Sequence, residues 1–384
     1  MELDALEENI LEYNATNHVT AGHHNGSADD QEYHHLISAA EILSKAFPPT
    51  LLILGTIGNI CSLLVMTRPA MRSTAMGIYL SALALSDLLV IWVGLIRHIL
   101  KAYNNVDIRN SSPFMCTTQR FLLYFGMDVS AWILVAVCVE RFIGVCLPTK
   151  CRRCATVNRS VLTVCAIAVT MAAKTMHVFW TRGPQYATVG NETILVKNCG
   201  FPSADDEYFW RQILPWMIFI IYAGGPFLIM IILNICIIRG LVKMNKRRNA
   251  MSGESQRTPI GKEREKARDD YTKSMTMMLV CVCFCYLLLA TPGFINSVVE
   301  LRWKPNIATT SHLELNIFNL VKVILLMMNY TNHSINFFLY CLTGRGFRQE
   351  FVSMVWGRAK NSQIIKRLST RRGRTIKVPL DDEL

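Results

Sequence analysis

Seven apolar runs, each long enough to cross a bilayer, constrain this chain more than any other feature. They lie at approximately 47–67, 75–97, 117–142, 160–180, 211–238, 275–298 and 316–340. The third is the clearest. From Phe121 to Val139 it is apolar or small apart from Asp128 and Ser130. At about 1.5 Å per helical residue, that length matches a hydrocarbon core of roughly 30 Å. A chain that is 51% hydrophobic with mean hydropathy +0.27 is too apolar for an ordinary soluble domain with this many loops. The expected fold class is an all-α membrane protein, since a helix satisfies its own backbone groups in lipid.

Charge sets the expected orientation. The net charge of +12 could suggest nucleic acid, but position matters more than sum. Arg68 and Arg72, Lys150 to Arg159, Arg239 to Lys273 and the residues after Tyr340 hold most of the Lys and Arg. Those segments alternate between spans and are expected inside. The arm before the first span is acidic, with Lys45 its one base, and is expected to be exposed and disordered outside. It has no basic stretch followed by an apolar one, so the first span should act as the insertion signal. Asn14, Asn25 and Asn191 begin glycosylation sequons on the outer side. Asn332 also begins one, but it lies within the seventh span. Of the 13 cysteines most sit in apolar runs, where a free thiol behaves as a small hydrophobe. Only Cys116 and Cys199 fall at the outer face, and a bond between them would fix the loop before the fifth span over the bundle mouth.

Polar residues within the spans are costly and are functional candidates by default. Asp87, with Asn59, Ser130, Asn332 and Asn336 at similar depth, could hold a sodium ion or a water network. Hydrogen bonding between helices explains the same residues equally simply. A second set lies toward the mouth: Arg97, Arg120, Leu123, Tyr124, Lys174, Trp216, Asn296, Glu300, Lys322 and Tyr330. Its bases suit a ligand with acidic or carbonyl groups, although a single Lys or Arg near a helix end often only snorkels. Asp128, one turn after Tyr124, could counter a buried base. After the seventh span, Phe347, Phe351 and Val355 share a helical face with basic residues beside it, which suits a short amphipathic helix in the interface plane.

The order of these features resembles the rhodopsin-like G-protein-coupled receptors over nearly the whole chain. Gly58-Asn59, Leu83 to Asp87, Cys116 followed by Glu140-Arg141-Phe142, Pro148, Pro226, Pro292 and Asn336 to Tyr340 carry the resemblance. Several positions depart from the usual pattern. Ile167 or Ala168 stands where the fourth span commonly has Trp, Ala290 replaces the sixth-span Trp, and Phe337 replaces a common Pro. Asn234 replaces a frequent Tyr, and Tyr286 is positioned to take over some aromatic packing. The stretch Asn332 to Cys341 with Arg345 to Arg348 looks like invertebrate FMRFamide-type neuropeptide receptors and related peptide-like receptors.

The resemblance implies a multi-pass plasma-membrane receptor with its N-terminus outside and C-terminus in the cytoplasm. Its parts would be an extracellular glycosylated arm (1–46), a seven-span receptor domain (47–340), an amphipathic helix (341–357) and a disordered tail (358–384). It implies no catalysis. A peptide would bind outside, and Glu140, Arg141, Pro148, Asn234, Tyr286, Ala290, Pro292, Asn336 and Tyr340 would belong to the switch that admits a heterotrimeric G protein. Arrestin, a receptor kinase and membrane lipids would be further partners, and nucleic acid would not. No cofactor is expected beyond sodium at Asp87, Ser130, Asn332 and Asn336. A receptor for a lipid or small organic acid is the nearest alternative, and a seven-helix transporter or channel a more distant one.

Overall fold

The computed structural model describes residues 28–147, 156–189, 191–251, 274, 276–293, 295–296 and 312–357. Among them are seven helices long and apolar enough to cross a membrane. These are α1 (Ala28–Met66), α2 (Ala75–Asn104), α3 (Pro113–Cys146), α4 (Val157–Thr175), α5 (Ala204–Met244), α6 (Thr276–Gly293) and α7 (His312–Ser334). The chain is thus a multi-pass membrane protein built as a seven-helix bundle.

Local chemistry fixes the helix ends. The Thr74 hydroxyl accepts from Gly77 N at 3.0 Å and starts α2. Asn105, in the left-handed region at φ 55°, ends it. Ser112 accepts from Met115 N, and Pro113 sits in the first turn of α3, where a missing N–H costs nothing. Inside α1, Pro49 leaves the Lys45 carbonyl without its helical donor. Tyr103 Oη, from the end of α2, donates to that carbonyl at 3.2 Å.

The bundle turns apolar side chains outward and encloses a polar centre within its mostly apolar core. Ile53, Ile57 and Leu64 of α1 and Leu162 and Val169 of α4 point outward, while Asn59, Asp87, Ser130, Asn332, His333 and Asn336 are buried. Such a distribution fits lipid as the surrounding medium. α3 is the central helix and packs against α2, α4 and α5. α6 joins the main core through Met278, Leu279, Val282, Cys283, Tyr286 and Ala290.

Three expectations need correction. α1 begins at Ala28, so the arm expected to be disordered through residue 46 is helical over its last part. That part is rich in helix formers and carries a Glu41–Lys45 pair one turn apart at 2.6 Å. The fold is not wholly α: β1 (Gly183–Val189) and β2 (Glu192–Gly200) form an antiparallel hairpin between α4 and α5, with Tyr186 opposite Leu195 and Thr188 opposite Thr193. Its β-branched residues favour a pleated ribbon. The break after the seventh span falls later than residue 340. α7 pauses at Ile335, resumes as Asn336–Thr343 and ends at Gly344, and residues 345–357 are again helical. A Cβ on Gly344 would come within 2.5 Å of the Met278 sulfur and 2.8 Å of the Tyr340 carbonyl, so glycine lets the chain turn against α6.

Pro148, Asn14, Asn25, Glu300 and the tail after Gly357 lie outside the described residues, as does most of the basic segment from Arg239 to Lys273.

Candidate functional site

One end of the bundle is closed by a disulfide. Cys116, in the first turn of α3, is bonded to Cys199 near the end of β2, with their Cα atoms 5.3 Å apart. The next residues of the hairpin strand lead into an aromatic and basic cluster. Trp210 at the start of α5 is buried, and its Nε1 donates to Thr181 Oγ1 at 2.8 Å. The Arg182 guanidinium lies over the Trp210 ring at 4.1 Å and over Phe201 at 3.9 Å. Arg120 approaches the same indole at 5.7 Å, and Tyr124 packs against it with ring centroids 6.3 Å apart. Cations over aromatic faces in a partly dry site are held by the ring quadrupole.

The structure sorts the mouth residues expected from sequence into several places. Arg120 and Tyr124 join the Trp210 cluster. Leu123 and Tyr330 sit deeper in an apolar cluster with Val90, Leu95 and Met327. Lys322 is buried with its amine 4.7 Å from the Phe318 ring centre, and Asn296 is half-buried. Trp216 does not join them. It is 42% exposed and packs edge-on against Phe219. The physical reason is two π-helical turns in α5, Phe209–Ile213 and Phe219–Gly224. Each rotates the helix phase relative to a regular α-helix, and the inward aromatic becomes Trp210.

Arg97 and Lys174 are committed to internal ion pairs. Lys174 Nζ meets Asp128 Oδ2 at 2.7 Å, joining α4 to α3. Arg97 Nε donates to Asp107 Oδ1 at 2.9 Å, tying α2 to the short loop before α3. Neighbouring Arg109 donates from Nε to Gln119 Oε1 at 2.5 Å, and Gln119 Nε2 reaches the Val93 carbonyl. Burial alone would raise the Asp107 pKa. The Arg97 hydrogen bonds and charge, with the charge and N–H of Arg109, outweigh burial and hold it at about 2. Its folded value is depressed, so this clasp contributes stability fully present above about pH 4 and lost as pH falls toward 2. Unfolding midpoints measured from pH 5 down to pH 2 should fall less steeply in Asp107→Asn than in the unaltered chain. Equal slopes would remove Asp107 from the acid response.

The polar centre gathers around Asp87. Ser130 Oγ donates to Asp87 Oδ1 at 2.8 Å and Asn336 Nδ2 to Oδ2 at 2.7 Å. The third partner, absent from the sequence reading, is His333, whose Nδ1 lies 2.7 Å from Oδ1. Asn59 Nδ2 donates to the His333 carbonyl at 2.9 Å, beside the break in α7. Asn332 is buried but is not among the groups bonded to Asp87.

The departures at α5 and α6 also have a structural account. Pro226 has no N–H for the Tyr222 carbonyl in an α turn or the Ile221 carbonyl in a π turn. Tyr286 Oη donates to Tyr222 O at 2.9 Å and Trp132 Nε1 to Ile221 O at 3.0 Å. Tyr286 thereby links α6 to α5 one turn before the small Ala290. Tyr286→Phe would remove this buried hydrogen bond at a cost of about 0.5–1.5 kcal/mol. An unchanged unfolding midpoint in that variant would show that the bond contributes nothing net. Asn234 is half-buried, and in the neighbouring core the Cys138 and Cys283 sulfurs lie 3.2 Å apart.

At the opposite end of α3, Arg141 Nε donates to Glu140 Oε2 at 2.6 Å. Tyr340 is buried in the core and packs on Phe347, with ring centroids 5.3 Å apart. Arg68 holds Glu350 at 2.8 Å, so the segment after α7 is tied to the α1–α2 connection.

Comparison with known proteins agrees with this architecture. Residues 58–340 match the family described as 7 transmembrane receptor (rhodopsin family). The chain is 26% identical over 320 residues to an FMRFamide receptor of Drosophila melanogaster, covering 80% of this chain and 52% of that protein. It is 24% identical over 315 residues to a probable G-protein coupled receptor of Caenorhabditis elegans, covering 79% of this chain and 67% of that protein. A shorter match, 30% identical over 107 residues, covers 28% of this chain and 26% of a human thyrotropin-releasing hormone receptor. The chain therefore spans about half the length of its Drosophila relative. With seven helices, a disulfide from α3 to the following hairpin and a family match over most of its length, the chain belongs to the rhodopsin family of seven-transmembrane receptors, a family of receptors rather than enzymes.

Proposed function

We propose that this chain is a plasma-membrane receptor for a short extracellular peptide and that it signals to a heterotrimeric G protein. The observation that carries this reading is α3 itself. One end is bonded to the hairpin and faces the Trp210 cluster, while the other carries the Glu140–Arg141 pair. A single rigid helix thus touches both places where a transmembrane signal must begin and end. Relatives named for FMRFamide and thyrotropin-releasing hormone favour a peptide ligand.

In this proposal the disulfide end faces outside and both the Arg141 end and the C-terminus face the cytoplasm. Asn191, exposed in the turn between β1 and β2, suits glycosylation there, together with Asn14 and Asn25. The peptide enters beneath the hairpin, and the guanidinium groups of Arg120 and Arg182 suit its carbonyl or carboxylate groups. Agonist shifts the bundle only by its difference in affinity for the two arrangements. The favoured arrangement moves α6 outward and frees Arg141 from Glu140 to meet the G protein, and later a receptor kinase and arrestin. The helix over 345–357 lies in the interface plane, with Val352, Val355 and Trp356 exposed and Phe347 buried against the bundle.

The test is a cell assay reading calcium, cyclic AMP and arrestin recruitment against short amidated peptides, with Arg141→Ala as the uncoupled control. A dose-dependent second-messenger response, lost in the control at equal surface expression, is the expected result. Response only to lipids or small organic acids would replace the peptide by the ligand its basic mouth also suits. Ion flux without second-messenger change would overturn the receptor mechanism.

A further inference from the structure

We propose that His333, rather than a bound sodium ion, is the resident partner of Asp87, and that the stability of this receptor is consequently insensitive to sodium. Asp87 and His333 are both 0% exposed, so whatever faces the carboxylate at this depth is its electrostatic partner. Asp87 Oδ1 already meets Ser130 Oγ and His333 Nδ1, and Oδ2 meets Asn336 Nδ2. At 2.7 Å between a ring nitrogen and a carboxylate oxygen, one atom must carry the shared proton.

The residues present do not fit the cation. A hard monovalent ion needs several oxygens converging on it, whereas an imidazole presents a nitrogen that here donates or receives a proton. Asn332, which could supply a further oxygen, is not bonded to Asp87. The backbone that carries the ring is also held in place. Asn59 holds the His333 carbonyl, and Ser334 Oγ donates to Tyr330 O at 3.0 Å. α1 lies so close that a Cβ on Gly55 would come within 2.7 Å of Ser334 Oγ. His333 is thus a positioning residue that keeps α7 against α2 where a cation would otherwise do so.

This inference does not depend on the identity of the ligand or on coupling. The test uses the purified full-length receptor and follows its thermal unfolding midpoint in sodium chloride and in choline chloride at equal ionic strength. The unaltered chain should show the same midpoint in both salts. His333→Ser, which replaces the ring by a small oxygen donor, should gain a saturable rise in sodium of several degrees. Adding Asp87→Asn to that variant should abolish the gain. His333→Asn provides the same readout if the serine variant does not fold. A saturable sodium-dependent rise in the unaltered chain would overturn the proposal. Equal midpoints in both salts for every folded His333 variant would overturn His333 as the group that excludes the ion.

Discussion

Replacing Lys174 with Met should destabilise the bundle by about 3–5 kcal/mol, because it leaves the Asp128 carboxylate buried without its counter-charge. The side chains are 11% and 3% exposed, and Thr175 Oγ1 is a further 3.5 Å neighbour of the same carboxylate oxygen. α4 is where such a loss would be felt most. Its buried residues are Ser160, Met171 and Thr175, with Val164 and Ile167 partly buried against the core. With so little apolar surface holding α4 to α3, the ion pair contributes much of the attachment. Removing both charges tests this account. Asp128→Asn with Lys174→Met should recover most of the lost stability, since two neutral groups carry no uncompensated charge. Unfolding midpoints and surface expression of the two single variants and the double variant form the cycle. A Lys174→Met receptor as stable as the unaltered one would sink the argument.

Cys199→Ser is expected to be comparably severe at about 2–5 kcal/mol, for a different reason. The bond closes a loop with a sequence separation of 83 residues and holds β2 against the first turn of α3. Phe201 follows two residues later and forms one wall of the Arg182 site, with Trp210 on the other. Loss of the bond therefore releases the hairpin and disperses the groups proposed to meet a ligand. Cys116→Ser should behave alike, and the double variant should be no worse than either single one. Additive losses would mean that each cysteine acts independently of the bond.

Much of the fold was legible because lipid imposes a simple rule. A span must be apolar for about 20 residues, and the seven runs therefore announce themselves. Helix ends were less legible. The first helix starts in polar sequence, where propensity and a Glu41–Lys45 pair act instead of hydropathy. The hairpin was hidden because short β patterns in a polar loop give little signal beside the spans. Trp210, not Trp216, faces the cluster because π turns shift the phase of α5, and no periodicity count reveals where a helix will insert an extra residue.

The polar residues show the same division. Asp87, Ser130 and Asn336 stood out as costly groups in apolar sequence, whereas His333 beside Asn332 looked like part of a familiar motif and carried no separate signal. Asp107 lay in a loop, where acids are common, and only its approach to Arg97 gives it a role. Prolines at 49 and 226 declare that carbonyls will lose their donors, but not that Tyr103, Trp132 and Tyr286 will replace them.

The sequence by itself determined the membrane class, the number of spans and the need of span acids such as Asp87 for partners, since each follows from the cost of placing a residue type in lipid. Only the tertiary structure decided the partners: Lys174 with Asp128, Arg97 with Asp107, and His333 with Asp87. The physical reason is that burial cost depends on one residue and its medium, whereas a hydrogen bond or ion pair depends on the distance and direction between two helices that the chain brings together only when the bundle packs.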